Sequence, residues 1–185
     1  MGKEMERARD GQLVQRGLQG DRQALEALVN HYHGALFKLA YRMLGNGEDA
    51  ADVTQTTFLK AFENLESYKA EYKFFSWIYR IAINEALNTR RRASGTEYLD
   101  QPVPDQGDGP ELASRNDELK AQVQGALMQL SDEHRAVITL RHYGDCSYAD
   151  MASILAVPEK TVRSRLFEAR RKLQGVLQSA GVTGS

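Results

Sequence analysis

SYADMASILAVPEKTVRSRLFEARRKL, residues 147–173, reads as a short helix, a tight turn and a longer basic helix. Ser147 with Asp150 three residues on is a capping-box pattern that starts a helix. Met151, Ile154 and Leu155 give that helix one apolar face. Ala156-Val157-Pro158 interrupts it, and a second helix follows from about Glu159, where a proline costs no hydrogen bond. Val162, Leu166, Ala169 and Leu173 then recur at steps of 4, 3 and 4. That spacing is one narrow stripe at about 100° per residue.

The face away from the stripe is the informative one. Residues 159–172 hold six Lys or Arg against two Glu. Lys160, Ser164, Phe167 and Arg171 lie opposite the stripe; Arg163 and Arg170 fall on one flank, Thr161, Arg165 and Lys172 on the other. Such a helix suits a DNA major groove. Lys160, Arg163, Ser164 and Phe167 would lie nearest the base edges, with Thr161, Arg165 and Arg170 on phosphates. A solvated basic helix would carry the same charge, but the short helix and proline turn ahead of it favour a helix-turn-helix.

Upstream, Gly144 ends a helix that Ser131 caps, with Asp132 and Glu133 in its first turn and Ala136, Val137, Leu140 and Tyr143 as its apolar side. Val123, Ala126, Leu127 and Leu130 place another helix before it, from Leu119. Residues 93–118 hold three of the four prolines and no apolar periodicity. They predict an extended or disordered acidic linker between two domains, each with its own helical core.

In the first domain, residues 9–20 predict a short helix ending at Gly20, and Asp21 caps the next. Leu25, Leu28, Val29, Tyr32, Leu36, Leu39, Ala40 and Met43 keep helical spacing to a stop at Leu44-Gly45-Asn46-Gly47, where Asn-Gly is expected to supply positive φ. A third helix, Glu48 to about Leu65, has Val53, Thr57, Ala61 and Leu65 on one edge and Phe58 and Phe62 on a second. SYKAEYKFF (67–75) interleaves Tyr68, Tyr72, Phe74 and Phe75 with Lys69 and Lys73. Such a loop can grip a single strand, aromatics on bases and lysines on phosphates, or fold its rings back into the core; the loop by itself favours the second.

Residues 75–92 predict a helix with Ile78, Ile81, Ala82, Glu85 and Ala86 on its packed side. Trp77, Arg80, Asn84 and Asn88 form a row on another side, costly to bury without partners and well suited to nucleotides. Arg90-Arg91-Arg92 closes the helix, which satisfies its C-terminal dipole and would also grip phosphates.

Net charge is −1, but its distribution is uneven: +2 over residues 1–92, −5 over 93–120 and +2 over 121–185. MGKEMERARDGQ has no apolar core and no run approaches a membrane span, so neither signal peptide nor membrane insertion is expected. The single Cys146 excludes an internal disulfide and fits a cytoplasmic protein. No phosphate loop, G-x-G-x-x-G or H-E-x-x-H occurs, and His31, His33, His142 and Cys146 lack metal-ligand spacing. The expectation is a non-enzyme with no catalytic residue, no cofactor and no metal.

Three segments together resemble one family. GNGEDAADVTQTTFLKAF, FSWIYRIAINEALNTRRR and the run from Leu130 to Leu173 are similar to the characteristic blocks of bacterial sigma-70-family initiation factors, extracytoplasmic-function (group IV) branch. The resemblance covers roughly residues 9–178. It implies an all-α chain of two small helical domains joined by a flexible acidic linker: a sigma region 2-like domain (1–92), the linker (93–118) and a sigma region 4-like helix-turn-helix domain (119–185).

It further implies that Asp49, Asp52, Gln55, Phe58 and Lys60 bind the β′ clamp helices of core RNA polymerase. The −10 promoter element would be opened and read by Tyr72, Lys73, Phe74, Trp77, Arg80, Asn84, Asn88, Arg90 and Arg91. The second domain would bind the polymerase β flap and set Lys160, Thr161, Arg163, Ser164, Arg165, Phe167, Arg170 and Arg171 at the −35 element. An anti-sigma factor is the further partner the resemblance implies. Two positions depart from the family pattern: Ala156 stands where a Gly is usual in the turn, and Lys160 where a small residue is common.

Overall fold

The computed structural model describes residues 2–95 and 115–181. Eight α-helices and one 3-10 turn make up the regular structure, with no strand among the described residues. Four α-helices belong to the first half: α1 (Gly2–Leu18), α2 (Arg22–Leu44), α3 (Gly47–Glu63) and α4 (Phe74–Gly95), with the 3-10 turn Leu65–Ser67 before α4. The second half holds α5 (Arg115–Met128), α6 (Asp132–His142), α7 (Tyr148–Leu155) and α8 (Glu159–Ser179). Most of the expected linker lies outside the described residues; its two ends are helical, since α4 runs on to Gly95 and α5 begins at Arg115.

Local chemistry explains most boundaries. Asp21 starts α2 by accepting a hydrogen bond from the Ala24 amide at 3.2 Å. The stop after α2 differs from expectation in its details. Gly45 takes the positive φ, 84°, while Asn46 stays extended and caps α3 by accepting from the Asp49 amide at 2.7 Å. A Cβ on Gly45 would stand 2.9 Å from the Met128 sulfur, so this glycine also serves packing between the halves. The capping box of α7 is complete: Ser147 Oγ accepts from the Asp150 amide, and Asp150 accepts from the Ser147 amide. Ala156 ends α7 in the left-handed region (φ 54°, ψ 44°), a conformation that costs an L-residue roughly 1–2 kcal/mol.

The two halves do not keep separate cores. α4 packs on α7, and α2 packs on α5 and α6, so one apolar cluster runs from Val14 through Leu36, Phe74 and Ile83 to Met151, Ile154 and Leu166. The cause is visible on two helices. α4 buries Tyr79 and Ile83 as well as Ile78, Ala82 and Ala86, more surface than the first half covers alone. α6 is buried on every side from His134 to Leu140, including the whole Arg135 side chain.

Candidate nucleic-acid interface

α7, the turn and α8 form the expected helix-turn-helix. Val162, Leu166 and Ala169 are buried and Leu173 is half-buried, which fixes the rotation of α8. Lys160, Arg163, Ser164, Phe167, Arg170 and Arg171 are exposed, Phe167 at 70%. A phenylalanine this exposed takes no part in the core and leaves its ring on the basic face. Thr161 and Arg165 are half-buried. Arg165 pairs with Glu133 at 2.8 Å, and Arg163 lies 3.5 Å from Glu159 and over the Tyr148 ring at 5.3 Å. The freest cations of the helix are therefore Lys160, Arg170 and Arg171.

On α4, Arg80 and Asn84 are exposed and Trp77 and Asn88 half-buried, so the polar row forms a continuous outer face. The aromatic loop divides between its two readings. Phe74, expected on DNA, is only 1% exposed: its ring sits among Tyr32, Tyr68 and Trp77 at centroid distances of 5.5 to 5.6 Å. It is a core residue because it is the first residue of α4 and points between α2 and the loop. Phe75 packs against Tyr79 with the rings tilted by 46° and their centroids 4.3 Å apart. Tyr72, 54% exposed, is the ring that the loop offers outward.

Two cations of the expected −10 set are held by the other half of the chain. Lys73 Nζ donates to Asp150 Oδ1 at 2.7 Å, and Arg90 Nε to Asp132 Oδ1 at 2.6 Å. Burial pushes the Asp150 carboxyl up, but hydrogen bonds from Lys73 and Ser147 outweigh it and hold the group below the ordinary carboxylate range. Arg91 remains exposed. Further ties cross the same seam. Arg42 donates to Gln124 Oε1 at 2.9 Å and lies 4.4 Å from the centre of the Tyr143 ring, and Arg135 donates to the Met43 carbonyl at 3.0 Å.

The expected polymerase-binding residues on α3 also separate. Asp52 and Gln55 are exposed. Asp49 belongs to the helix cap, accepting from Asn46 Nδ2, and Lys60 pairs with Glu85 at 2.6 Å. Phe58 is 7% exposed and faces His33 and Phe62, so it supports the surface from beneath. Leu59, 56% exposed beside Gln55, was missed by sequence reasoning. The available signal was that it lies off the Val53–Thr57–Ala61 edge. Arg135 was also missed; it stands after Asp132-Glu133-His134 and just before the apolar run AVITL, with no local sign of its burial.

Among the described residues, no group of three His, Cys, Asp or Glu side chains is placed to hold a metal, and no helix is long and apolar enough to cross a membrane.

Residues 28–96 match the family model of Sigma-70 region 2, and residues 120–173 that of Sigma-70, region 4. The RNA polymerase sigma-H factor of Pseudomonas aeruginosa is 35% identical over 181 residues, 91% of this chain and 94% of that protein. The ECF RNA polymerase sigma factor SigW of Bacillus subtilis is 33% identical over 86% of this chain and 91% of its own. Among solved structures, CnrH in complex with the cytosolic domain of CnrY is similar with a TM-score of 0.71 and 25% identity, covering 94% of this chain and 97% of that one.

Proposed function

Because the chain belongs to the sigma-70 family of transcription initiation factors, in its extracytoplasmic-function branch, we propose that it directs core RNA polymerase to promoters through two separate DNA contacts. The observation that carries this is the pairing of two exposed faces on one chain: Arg80 and Asn84 on α4, and Lys160, Arg163, Ser164 and Phe167 on α8. The first captures an unpaired base at the −10 element, with Tyr72 and Trp77 as the aromatic surfaces. The second positions the chain at the −35 element. Asp52, Gln55 and Leu59 on α3 form the face that docks on the polymerase β′ clamp helices, and the second half binds the β flap.

The chain itself performs no catalysis; it works by positioning. Each half carries only slight positive charge, so polymerase supplies most of the affinity and the two linked DNA sites gain from effective concentration. Free, the chain binds promoter DNA weakly and with strong salt dependence. Compaction adds to this, since Lys73 and Arg90 must leave Asp150 and Asp132 before they reach phosphates. A cytoplasmic anti-sigma factor is the partner that fits control of such a factor, by favouring the compact form. The similar chain CnrH is solved in complex with the cytosolic domain of CnrY, which supports a protein partner for this chain.

Run-off transcription with core polymerase, with and without the chain, tests the proposal. Promoter-specific transcripts that depend on the chain are the expected result. Nanomolar promoter binding by the free chain at physiological salt would contradict it.

A further inference from the structure

Building on this function, we propose that α1 takes part in promoter opening through Arg7, a positioning residue for the loop at residues 68–73. Arg7 Nη2 donates to the Glu71 carbonyl at 2.9 Å and to the Ala70 carbonyl at 3.4 Å, across 64 residues of sequence. Within the loop, Tyr68 Oη donates to the Tyr72 carbonyl at 2.7 Å and the Tyr72 amide to the Lys69 carbonyl at 3.0 Å, while its last residue, Lys73, is tied to Asp150 of α7. Arg7 is thus the grip of the first half's own α1 on the turn that holds Tyr72 outward, acting at Ala70 and Glu71 and not at the Lys73 end that α7 holds. The two hydrogens of that one nitrogen reach two successive carbonyls, so Arg7 holds adjacent peptides of the turn together.

The grip has a firm base. α1 is anchored by Val14, which is fully buried, and by Asp10, 3% exposed, which accepts from the Tyr32 hydroxyl. Tyr32 in turn packs against Phe74, the first residue of α4. α1, α2 and the start of α4 therefore move as one body, and Arg7 transmits that body's position to the loop. α1 ends before the residues that match region 2, 28–96, so the family match assigns it no role. A loop held in its capturing shape pays less ordering entropy when a base is flipped onto it.

The test uses the full chain, wild type and Arg7→Ala, assembled with core polymerase. The template is a promoter selected by run-off with the wild type, used as duplex and as the same sequence pre-opened by mismatches over the −10 element. The expected result is a drop of about fivefold in open-complex yield on the duplex, with recovery to within about twofold on the pre-opened template and unchanged polymerase binding. About fivefold corresponds to about 1 kcal/mol. Equal loss on both templates would mean a merely structural role and would overturn the inference, as would wild-type yield on the duplex. If the wild type itself gave no promoter-specific transcript, the function proposed above would fall first and this inference with it.

Discussion

Replacing Arg135 with Met tests how the two halves are held. The side chain is fully buried, and burial, together with the nearby Arg90 charge, lowers its pKa to about 10, so it stays cationic at neutral pH. Its guanidinium donates to four carbonyls: Leu127 at 2.8 Å, Met128 at 2.9 Å, Leu130 at 2.7 Å and Met43 at 3.0 Å. Three lie at the end of α5 and just beyond it, and one at the end of α2, so one side chain satisfies orphan acceptors of two helices. Hydrogen bonds from a charged donor contribute about 1.5–3 kcal/mol each, but desolvating the cation costs several kcal/mol. Methionine regains part of the apolar burial and leaves four carbonyls without this donor. The net loss is then about 3–5 kcal/mol. Urea denaturation at 25 °C followed by circular dichroism measures it, and with a slope of about 1–3 kcal/mol per molar the midpoint falls by roughly 2 M. Because the Met43 bond crosses the seam, amide exchange at the end of α2 should also accelerate. A midpoint within about 0.3 M of wild type would refute the reasoning.

Ala156→Gly relieves the left-handed strain at an exposed position; offset by the chain entropy of glycine, it should stabilise by about 0.5–1 kcal/mol in the same denaturation assay. The Asp150 carboxyl is held below its ordinary value of 3.8, so its tie to Lys73 stabilises fully above that value and is lost as pH falls through the lower folded one. Urea midpoints measured from pH 6 down to 3 should therefore decline less steeply in Asp150→Asn than in wild type. Asn84→Ala should lower open-complex formation about tenfold, scored by permanganate reactivity at the −10 element, with polymerase affinity unchanged. Asp52→Ala should do the reverse, weakening polymerase binding in a pull-down titration while opening per bound complex stays the same.

Much of this molecule was legible before any coordinates. The helix-turn-helix followed from one capping box, one proline and a stripe of four apolar residues, all signals that act over a single turn of helix. The same holds for the Asp21 cap and for the exposure of Arg80 and Asn84, which follows from helical period, whereas Trp77 and Asn88 at the ends of the row are half-buried. Ala156 stood out in the sequence only because the family usually has Gly there; that the turn takes left-handed backbone at this residue came from the structure. Phe74 and Phe58 were assigned outward on the family resemblance and lie inward, because which neighbour covers an aromatic ring is set by packing between helices that local spacing does not show. Arg135 escaped for a related reason: nothing local distinguishes an exposed arginine from one that meets four carbonyls.

The sequence by itself determined where most helices run, the Asp21 cap, the Ser147–Asp150 capping box and the two polar faces proposed to meet DNA, since these depend on interactions within a few residues. The tertiary structure alone decided that Lys73 meets Asp150, that Arg90 meets Asp132 and that α4 serves both halves. Those contacts join residues 42 to 77 positions apart, and no periodicity in a chain encodes which of many acids a given cation will reach. Packing decides it, when two apolar faces wider than their own half can cover are buried against each other.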